Sequence, residues 1–453
     1  MRSSAPPPDG PVVGSPPRMT EPRAEIHQTD ALPLADRTLE RVALLGALVH
    51  AALLPISTAG MRIGLGIALA ALVLLRVRGR RAWAHGPLDL PVLLLAGAGA
   101  LSVAVAAATG SPPSDWHKAT SWTIVLSPLV LFSTLRLGRT EAEVRRRALL
   151  LAGAWAVGSF APSALAWVQY SCAFDPLHAL GLRRDVVLAP APRGGHGYAA
   201  VGFFRWYTAL AHNLLPPVCL AAALALHRDV PRRLRWLLAL AALAAGAAIV
   251  LTVSRAAWVT LVLGVALSVL LAGRGWRWAL GIVLAAAIAA AAHPALRARV
   301  AAIGEHDAVS DRQLIWRMCG EMVKDRPLTG WGWGNIPARS VPYWERVAPE
   351  FPLRAWCHDS FFTAWAEGGP VLAAALVAFW VLLFAAFWRW WRGGGLARAA
   401  AAGALAAMTA TLLNSLVHDI LQSSESALGL FFAVAVAAAI AAPIQRARPS
   451  TSR

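Results

Sequence analysis

Uninterrupted apolar runs of about twenty residues recur along this chain and restrict its possible folds more than any other feature. An α-helix needs about 20 residues to cross the hydrocarbon core of a bilayer. A helix also satisfies its own backbone hydrogen bonds, which lipid cannot do. The runs lie at residues 41–58, 60–76, 88–109, 119–136, 148–170, 205–227, 236–253, 255–272, 276–292, 358–387, 399–418 and 425–443. The sequence therefore predicts an all-α integral membrane protein with about twelve transmembrane helices.

The composition excludes the main alternative classes of protein. Hydrophobic residues make up 57% of the chain and charged residues only 15%, whereas soluble domains carry about 25% charged residues. A soluble enzyme, a secreted disulfide scaffold and a disordered chain are therefore excluded. The net charge of +18 could suggest nucleic acid. The arginines lie between apolar runs rather than on one soluble surface, so we expect no nucleic-acid partner.

The distribution of basic residues predicts the orientation in the membrane. The short loops on one side hold three basic residues, which are Arg62, Lys118 and Arg255. The loops on the other side hold eighteen, which are Arg76, Arg78, Arg80, Arg81, Arg136, Arg139, Arg145, Arg146, Arg147, Arg228, Arg232, Arg233, Arg235, Arg274, Arg277, Arg389, Arg392 and Arg398. Cytoplasmic loops carry the excess of arginine and lysine. We therefore expect both termini in the cytoplasm, and we call the opposite side the outer face.

The runs predict a division of the chain into membrane segments, loops and tails. The predicted parts are a disordered cytoplasmic tail (1–36), nine helices (37–292) with an outer loop (171–204), a large outer loop (293–357) before the tenth helix, three more helices (358–444), and a cytoplasmic tail (445–453). The first apolar run begins near Arg41, so we expect no cleavable signal peptide. Cys319 and Cys357 could pair in an oxidising compartment, and the sequence leaves this open.

Polar residues at one end of apolar helices predict where the protein works. Ionisable residues near a membrane are costly, so they mark functional sites. Those predicted on the outer face are Arg62, Arg205, His212, Arg255, His358, Asp359, His418, Asp419 and Glu425. No comparable set of histidines and carboxylates occurs at the inner helix ends, so the sequence predicts that the working face is outside.

Two arginines are candidates for binding a diphosphate. Arg255 lies between two apolar runs with almost no loop, and Arg205 precedes a helix that carries His212. A guanidinium group matches phosphate oxygens with two parallel hydrogen bonds. The alternatives are that Arg255 extends toward lipid phosphate, and that Arg205 is an interfacial anchor beside Trp206 and Tyr207.

His358 and Asp359 are candidates for catalysis. A histidine can take a proton from an attacking hydroxyl near neutral pH, and a carboxylate can orient the histidine. The alternative is that Asp359 or Ser360 caps the following helix. Capping and catalysis are compatible, so both interpretations stay open.

Further candidates for substrate contact are Arg62, His212, His418 and Glu425. The histidines and carboxylates suggest a metal site, but their spacing matches no standard ligand set, so we expect no metal. Capping of neighbouring helices is the alternative function of these side chains.

The segment 327–335 alternates glycine with tryptophan. It lacks the lysine and hydroxyl residue of a phosphate-binding loop. Trp331 and Trp333 could present their indoles to a sugar or a lipid, and a purely structural turn is the equal alternative.

Four short segments of the sequence carry a family resemblance. They are Asp311 to Trp316, Pro327 to Asn335, His358-Asp359 followed by Glu367-Gly368-Gly369, and Ser254 to Trp258. In this order, and with the late outer loop, they resemble the O-antigen ligase and polymerase superfamily over most of residues 37–445. The resemblance implies a GT-C-like membrane glycosyltransferase.

The resemblance also implies a reaction and its location. Members transfer a glycan from undecaprenyl diphosphate to an acceptor at the periplasmic face of the bacterial inner membrane. The ligases use an inverting displacement without metal or nucleotide, so no cofactor is expected. By motif, the catalytic histidine is His358 and one carrier-binding arginine is Arg255, whereas Arg205 is a looser match by position.

Departures from the motifs bear on which branch the chain resembles. Asp359 stands where ligases usually have Asn, Ser or Gln, and Leu372 replaces a glycine. Polymerases often have Arg followed by ten residues and Gly in both large loops. Here that pattern occurs at Arg183 and Arg184 but not in 293–357, which favours a ligase acting on the lipid A core. The alternatives are a repeat-unit polymerase, a protein O-oligosaccharyltransferase and, from another class, a transporter of lipid-linked sugars.

Overall fold

The computed structural model describes residues 33–138, 140–182, 199–292, 297, 306–350 and 356–443. Most of the first predicted tail (1–36), the last tail (445–453), and Arg183 and Arg184 with their paired glycines lie outside the described residues. Over the described ranges the chain is helical and contains no β-strand, which confirms an all-α membrane protein.

The helices are α1 (Leu34–Leu53), α2 (Thr58–Val77), α3 (Asp89–Ala108), α4 (Trp116–Ala119), α5 (Ser127–Arg136), α6 (Glu141–Cys172), α7 (Pro176–Ala179), α8 (Tyr207–Ala225), α9 (Arg232–Leu251), α10 (Arg255–Val269), α11 (Trp276–Ala292), α12 (His306–Asp325), α13 (Ile336–Arg339), α14 (Val341–Val347), α15 (Ser360–Trp391), α16 (Gly395–Ser415) and α17 (Ser424–Ala441). A 3-10 helix at Ser121–Leu126 precedes α5, and a π-helical turn at Leu270–Arg274 follows α10.

Nine segments of the described chain are long and apolar enough to cross a bilayer. They are Thr58–Val77, Asp89–Ala108, Trp116–Arg136, Glu141–Cys172, Tyr207–Ala225, Arg232–Leu251, Arg255–Arg274, Ser360–Trp391 and Gly395–Ser415. The three remaining predicted runs form α1, α11 and α17. Each of the twelve apolar runs therefore falls on a helical segment.

Helix α8 is the central element of the bundle. It packs against α9, α10, α16 and α17, and most of its residues are buried. A Cβ atom added at Gly429 on α17 would lie 2.2 Å from the carbonyl oxygen of Asn213 on α8. The Asn213 amide also donates a hydrogen bond of 2.7 Å to the carbonyl of Glu425. Small residues allow this close backbone approach, which is a common basis of helix packing in membranes.

A kink in α15 holds part of the large outer loop against the bundle. Gly369 has φ of 62° and is followed by Pro370, so the helix changes direction there. The backbone N–H groups of Trp331 and Gly332 donate hydrogen bonds of 2.9 and 2.7 Å to the carbonyls of Ala366 and Glu367. The glycine–tryptophan segment is therefore attached to the first half of α15.

The approach of α8 to α17 can be tested by enlarging one glycine. We expect Gly429→Ala to destabilise the fold by about 1–3 kcal/mol, because its methyl group would overlap the Asn213 backbone. Gly66→Ala on α2 is the matched control, since a Cβ atom there meets nothing within 4 Å. Thermal aggregation of the detergent-solubilised variants measures the difference. Equal midpoints for Gly429→Ala and the wild type would contradict the packing argument.

Candidate active site

His358 lies in the short segment before α15 and is held by the loop between α16 and α17. Its backbone N–H donates a hydrogen bond of 2.9 Å to Oδ2 of Asp419. Its ring atom Nδ1 lies 3.7 Å from the same oxygen. The backbone of His358 is left-handed, with φ of 51°. Such a conformation costs about 1–3 kcal/mol in a non-glycine residue and persists where surrounding contacts enforce it, often at functional sites.

The loop that carries Asp419 is fixed to the first turn of α15. The Thr363 hydroxyl donates to the second carboxylate oxygen of Asp419. Oγ of Ser360 donates to the His418 carbonyl at 2.9 Å and accepts from the Ile420 N–H at 3.1 Å. These bonds fix the Asp419 carboxylate with respect to His358.

Asp359 caps α15. Its Oδ1 atom accepts hydrogen bonds of 2.8 Å from the backbone N–H groups of Phe361 and Phe362. Burial raises the pKa of this carboxyl group, and the two N–H donors oppose that shift. The capping interpretation therefore has a direct structural basis, and a catalytic role of Asp359 stays a prediction.

Three histidines from distant parts of the sequence form a row. The His418 ring centroid lies 4.9 Å from that of His212 and 6.1 Å from that of His358. His212 is buried on α8, whereas the His358 side chain is 38% exposed. The row therefore runs from the accessible His358 into the bundle.

Two guanidinium groups lie beside this row. Burial lowers the pKa of Arg312 on α12, and the charge of Arg255 lowers it further. The positive charge of Arg312 in turn lowers the pKa of both His358 and His418. The electropositive group at the predicted outer face therefore consists of Arg255 and Arg312, and Arg312 lies within electrostatic range of His358 and His418. An anion is the natural ligand of such a group.

The surroundings determine which side chains carry protons. Burial lowers the pKa of His358 to about 4, and the nearby Arg312 charge contributes to that shift. Burial raises the pKa of Asp419 to about 6, although its hydrogen bonds with Thr363 and His358 oppose the shift. Near pH 7 the imidazole is neutral and the carboxylate is ionised. A neutral imidazole can accept a proton from a hydroxyl group.

A second polar group lies around Glu425 at the start of α17. Arg62 and Arg205 both lie within electrostatic range of the Glu425 carboxylate. Its Oε1 atom accepts a hydrogen bond of 3.3 Å from the Thr58 hydroxyl. Arg205 also lies over the Trp206 ring, 5.5 Å from its centroid. The structure thus brings Arg62, Arg205 and Glu425 together, while Arg255 lies with Arg312.

The two candidate tryptophans make contacts within the protein. The Trp333 side chain is buried, and its Nε1 donates to Ser121 at 2.9 Å. Nε1 of Trp331 donates to the Met322 carbonyl at 2.9 Å, and the Arg326 guanidinium lies 4.5 Å from the Trp331 ring centroid. These contacts agree with the structural-turn interpretation, and substrate contact by either indole stays a prediction.

A mainly apolar cavity of about 700 Å³, widely open to the surroundings of the protein, lies beside α15. It is lined by Trp316, Asp359, Phe361, Phe362, Trp365, Pro370, Ala373, Ala374 and Val377. Because Asp359 lines it and His358 precedes Asp359, the cavity lies close to His358. Its lining suits a hydrocarbon chain.

Two structural features concern metal and cysteine chemistry. Within the described ranges no three His, Cys, Asp or Glu side chains are arranged to hold a metal ion, and independence from metal stays a prediction. Cys319 on α12 and Cys357 form a disulfide bond, with their Cα atoms 5.9 Å apart. The pairing that the sequence left open is therefore present.

Sequence reasoning missed Arg312 and placed Asp419 on the outer face without assigning it to His358. Arg312 lies in a polar outer loop, where an arginine is unremarkable, so the cost of charge near a membrane did not single it out. Its only signal was its place in the segment 311–316 that carried the resemblance. The adjacency of His358 and Asp359 in sequence favoured Asp359 as the orienting carboxylate, whereas the carboxylate beside the imidazole is that of Asp419.

Comparison with known proteins supports a specific family. Residues 239–377 match a family model described as O-antigen ligase. This stretch runs from α9 into α15 and contains Arg255, Arg312 and His358, whereas His212 and Asp419 lie outside it. No curated protein matches the chain.

The electropositive group can be tested with a simple anion. We expect Arg255→Ala and Arg312→Ala each to weaken binding of inorganic diphosphate about tenfold or more, because each removes a charge-assisted hydrogen bond. Calorimetry on the detergent-solubilised protein at low ionic strength measures this. Arg346→Ala is the control, since its guanidinium lies over the Tyr343 ring at 4.6 Å in the same outer region. Equal losses in all three variants would indicate nonspecific attraction and contradict a defined site.

Proposed function

We propose that this chain, which belongs to the O-antigen ligase superfamily of membrane glycosyltransferases, transfers a glycan from undecaprenyl diphosphate to an acceptor hydroxyl. The lipid A core oligosaccharide is the acceptor we favour. The observation that carries the proposal is the arrangement of a neutral His358, oriented by Asp419, beside the guanidinium groups of Arg255 and Arg312. The group that takes the proton from the acceptor therefore lies beside the cations that stabilise the leaving group.

The arginines stabilise the departing diphosphate. When the bond between the anomeric carbon and the diphosphate oxygen breaks, its electron pair stays on the diphosphate. Fixed guanidinium groups stabilise that developing charge in the transition state, because they need no reorganisation as the charge appears. Arg255 and Arg312 have this role, whereas Arg205 lies with Arg62 and Glu425, so its binding of the diphosphate stays a prediction.

His358 activates the acceptor. The acceptor oxygen forms the new bond to the anomeric carbon while its proton passes to the imidazole of His358. The Asp419 carboxylate orients the ring and stabilises the imidazolium that forms, as in other histidine–carboxylate pairs. A single displacement of this kind inverts the configuration at the anomeric carbon. It needs no metal or nucleotide.

The cavity beside α15 supports a lipid-linked donor. Its apolar lining gives the isoprenoid chain a path to the site from the bilayer, and Asp359 marks the end nearest His358. When the isoprenoid chain occupies this cavity, the diphosphate at its end lies beside Arg255 and Arg312. Binding energy from this remote part of the donor then helps to position the reacting atoms.

The site faces the periplasm in this proposal, with both termini in the cytoplasm of a bacterial cell. The excess of arginine in the opposite loops supports this orientation. The Cys319–Cys357 disulfide gives independent support, because disulfides form and persist in oxidising compartments such as the periplasm.

A reconstituted transfer reaction tests the proposal. Purified protein in liposomes receives undecaprenyl-diphosphate oligosaccharide and lipid A core, without metal or ATP. We expect glycan on the lipid A core. A ladder growing on the carrier would instead identify a polymerase of the same superfamily. No product on the lipid A core, on the carrier or on added periplasmic protein would contradict glycosyl transfer and favour a transporter.

The pH dependence of the reaction tests the roles of Asp419 and His358. Protonation of Asp419, whose pKa is about 6, removes the carboxylate that supports the imidazolium, so kcat should fall as pH decreases through about 6. Below about pH 4, protonation of His358 itself should make the decline steeper. We expect Asp419→Asn to lower kcat about 100-fold and to move the acid limb from near 6 toward 4. Asp325→Asn, which alters an exposed outer carboxylate, is the control, and an acid limb still near 6 in Asp419→Asn would exclude the assigned role.

A further inference from the structure

One covalent bond joins the two parts of the chain that bring Arg312 and His358 together. Cys319 lies seven residues after Arg312 on α12, so the two side chains share one face of that helix. Cys357 immediately precedes His358. The disulfide therefore connects the helix that supplies an arginine to the residue next to the candidate base.

A small apolar cluster in the outer region packs against α12 and surrounds the disulfide. Cys319 and Cys357 are fully buried in a small apolar cluster that is separate from the main core of the bundle. Its other buried members are Ile315, Met318, Met322, Ile336, Tyr343, Trp344 and Ala366. Small cores of this kind commonly rely on disulfides for stability. The Cys319–Cys357 disulfide can therefore fix the distance between α12 and the start of α15.

We propose that the Cys319–Cys357 disulfide is a positioning element, which holds the His358 imidazole at the separation from Arg312 that glycosyl transfer needs. This inference rests on the proposed function. The acceptor oxygen must meet the anomeric carbon between the base and the diphosphate, so base and arginine have to be fixed relative to each other. A misplacement of about 1 Å can cost about 100-fold in rate.

Formation of the bond also limits activity to the oxidising side of the membrane. The two thiols transfer two electrons and two protons to the disulfide of an oxidised thiol–disulfide oxidoreductase, which leaves as a dithiol. Before this exchange, α12 and the His358 segment are connected only through residues 320–356 of the chain and through noncovalent packing. The base and the arginine are therefore locked together only after oxidation.

Replacing the paired cysteines tests the proposal in the full-length protein. We expect Cys319→Ala/Cys357→Ala to lower kcat at least tenfold while the KM for the lipid-linked donor changes less than about threefold, because positioning rather than donor affinity is lost. Cys172→Ala/Cys219→Ala is the matched control, since it removes the two free cysteines. Size-exclusion elution and circular dichroism verify that both variants are folded. An unchanged kcat in Cys319→Ala/Cys357→Ala would overturn the proposal.

A double-mutant cycle separates positioning of His358 from general stabilisation. If the disulfide acts through His358, its removal from a His358→Ala protein should cause no further loss of rate beyond about twofold. An additive loss in that background would overturn the positioning role.

If the double alanine variant does not fold, the wild-type chain gives the same information. Protein made under reducing conditions should gain at least tenfold in kcat when oxidised glutathione converts the two thiols to the disulfide and is itself reduced to two glutathione molecules. No gain on oxidation would overturn the proposal.

A readout without transfer distinguishes failure of this inference from failure of the proposed function. If the oxidised wild type transfers no glycan, the proposed function fails. The rate at which diethyl pyrocarbonate modifies His358, measured by peptide mass spectrometry, then tests the disulfide alone. We expect modification to be at least threefold faster without the bond, and an equal rate would overturn the positioning role.

Discussion

The contact between Asp419 and His358 is the interaction on which the site depends. One carboxylate oxygen binds the His358 backbone N–H at 2.9 Å and lies 3.7 Å from the imidazole Nδ1. The hydrogen bond restrains the left-handed backbone of His358, and the same oxygen lies beside its ring. Asp419 is itself held by Thr363, and its loop is held by Ser360. A polar group buried at a membrane face is tolerated here because the Asp419 carboxylate accepts hydrogen bonds from the His358 backbone N–H and the Thr363 hydroxyl.

The bundle concentrates positive charge around this contact. Arg255 begins α10, Arg312 lies on α12 outside the spanning helices, and His212 comes from the central helix α8. Burial keeps His358 and His418 neutral, so the positive charge of the group belongs to the guanidiniums. The same site can then hold an anion and accept a proton. The arginines supply the electrostatic attraction for the anion, and His358 supplies the base.

The sequence predicted the fold class and part of the site, for identifiable physical reasons. Apolar runs predict helices because lipid leaves few other ways to satisfy the backbone, and each run falls on a helical segment. Arg255 and His358 were found because polar groups at helix ends are costly in a membrane. The partnership of Asp419 with His358 and the approach of Arg312 could not be predicted, because both depend on contacts across 61 and 46 residues of chain. No local pattern encodes such distances.

The rate of glycan transfer by His358→Ala, compared with the wild type in the same proteoliposomes at pH 7, tests the central claim most directly. If His358 is the general base, its replacement should lower kcat by about 100- to 10,000-fold, with the KM for the donor little changed. The control is His85→Ala, because the His85 side chain is 83% exposed and lies outside the candidate site. A His358→Ala protein that is folded, inserted and still transfers glycan at the wild-type rate would contradict the account.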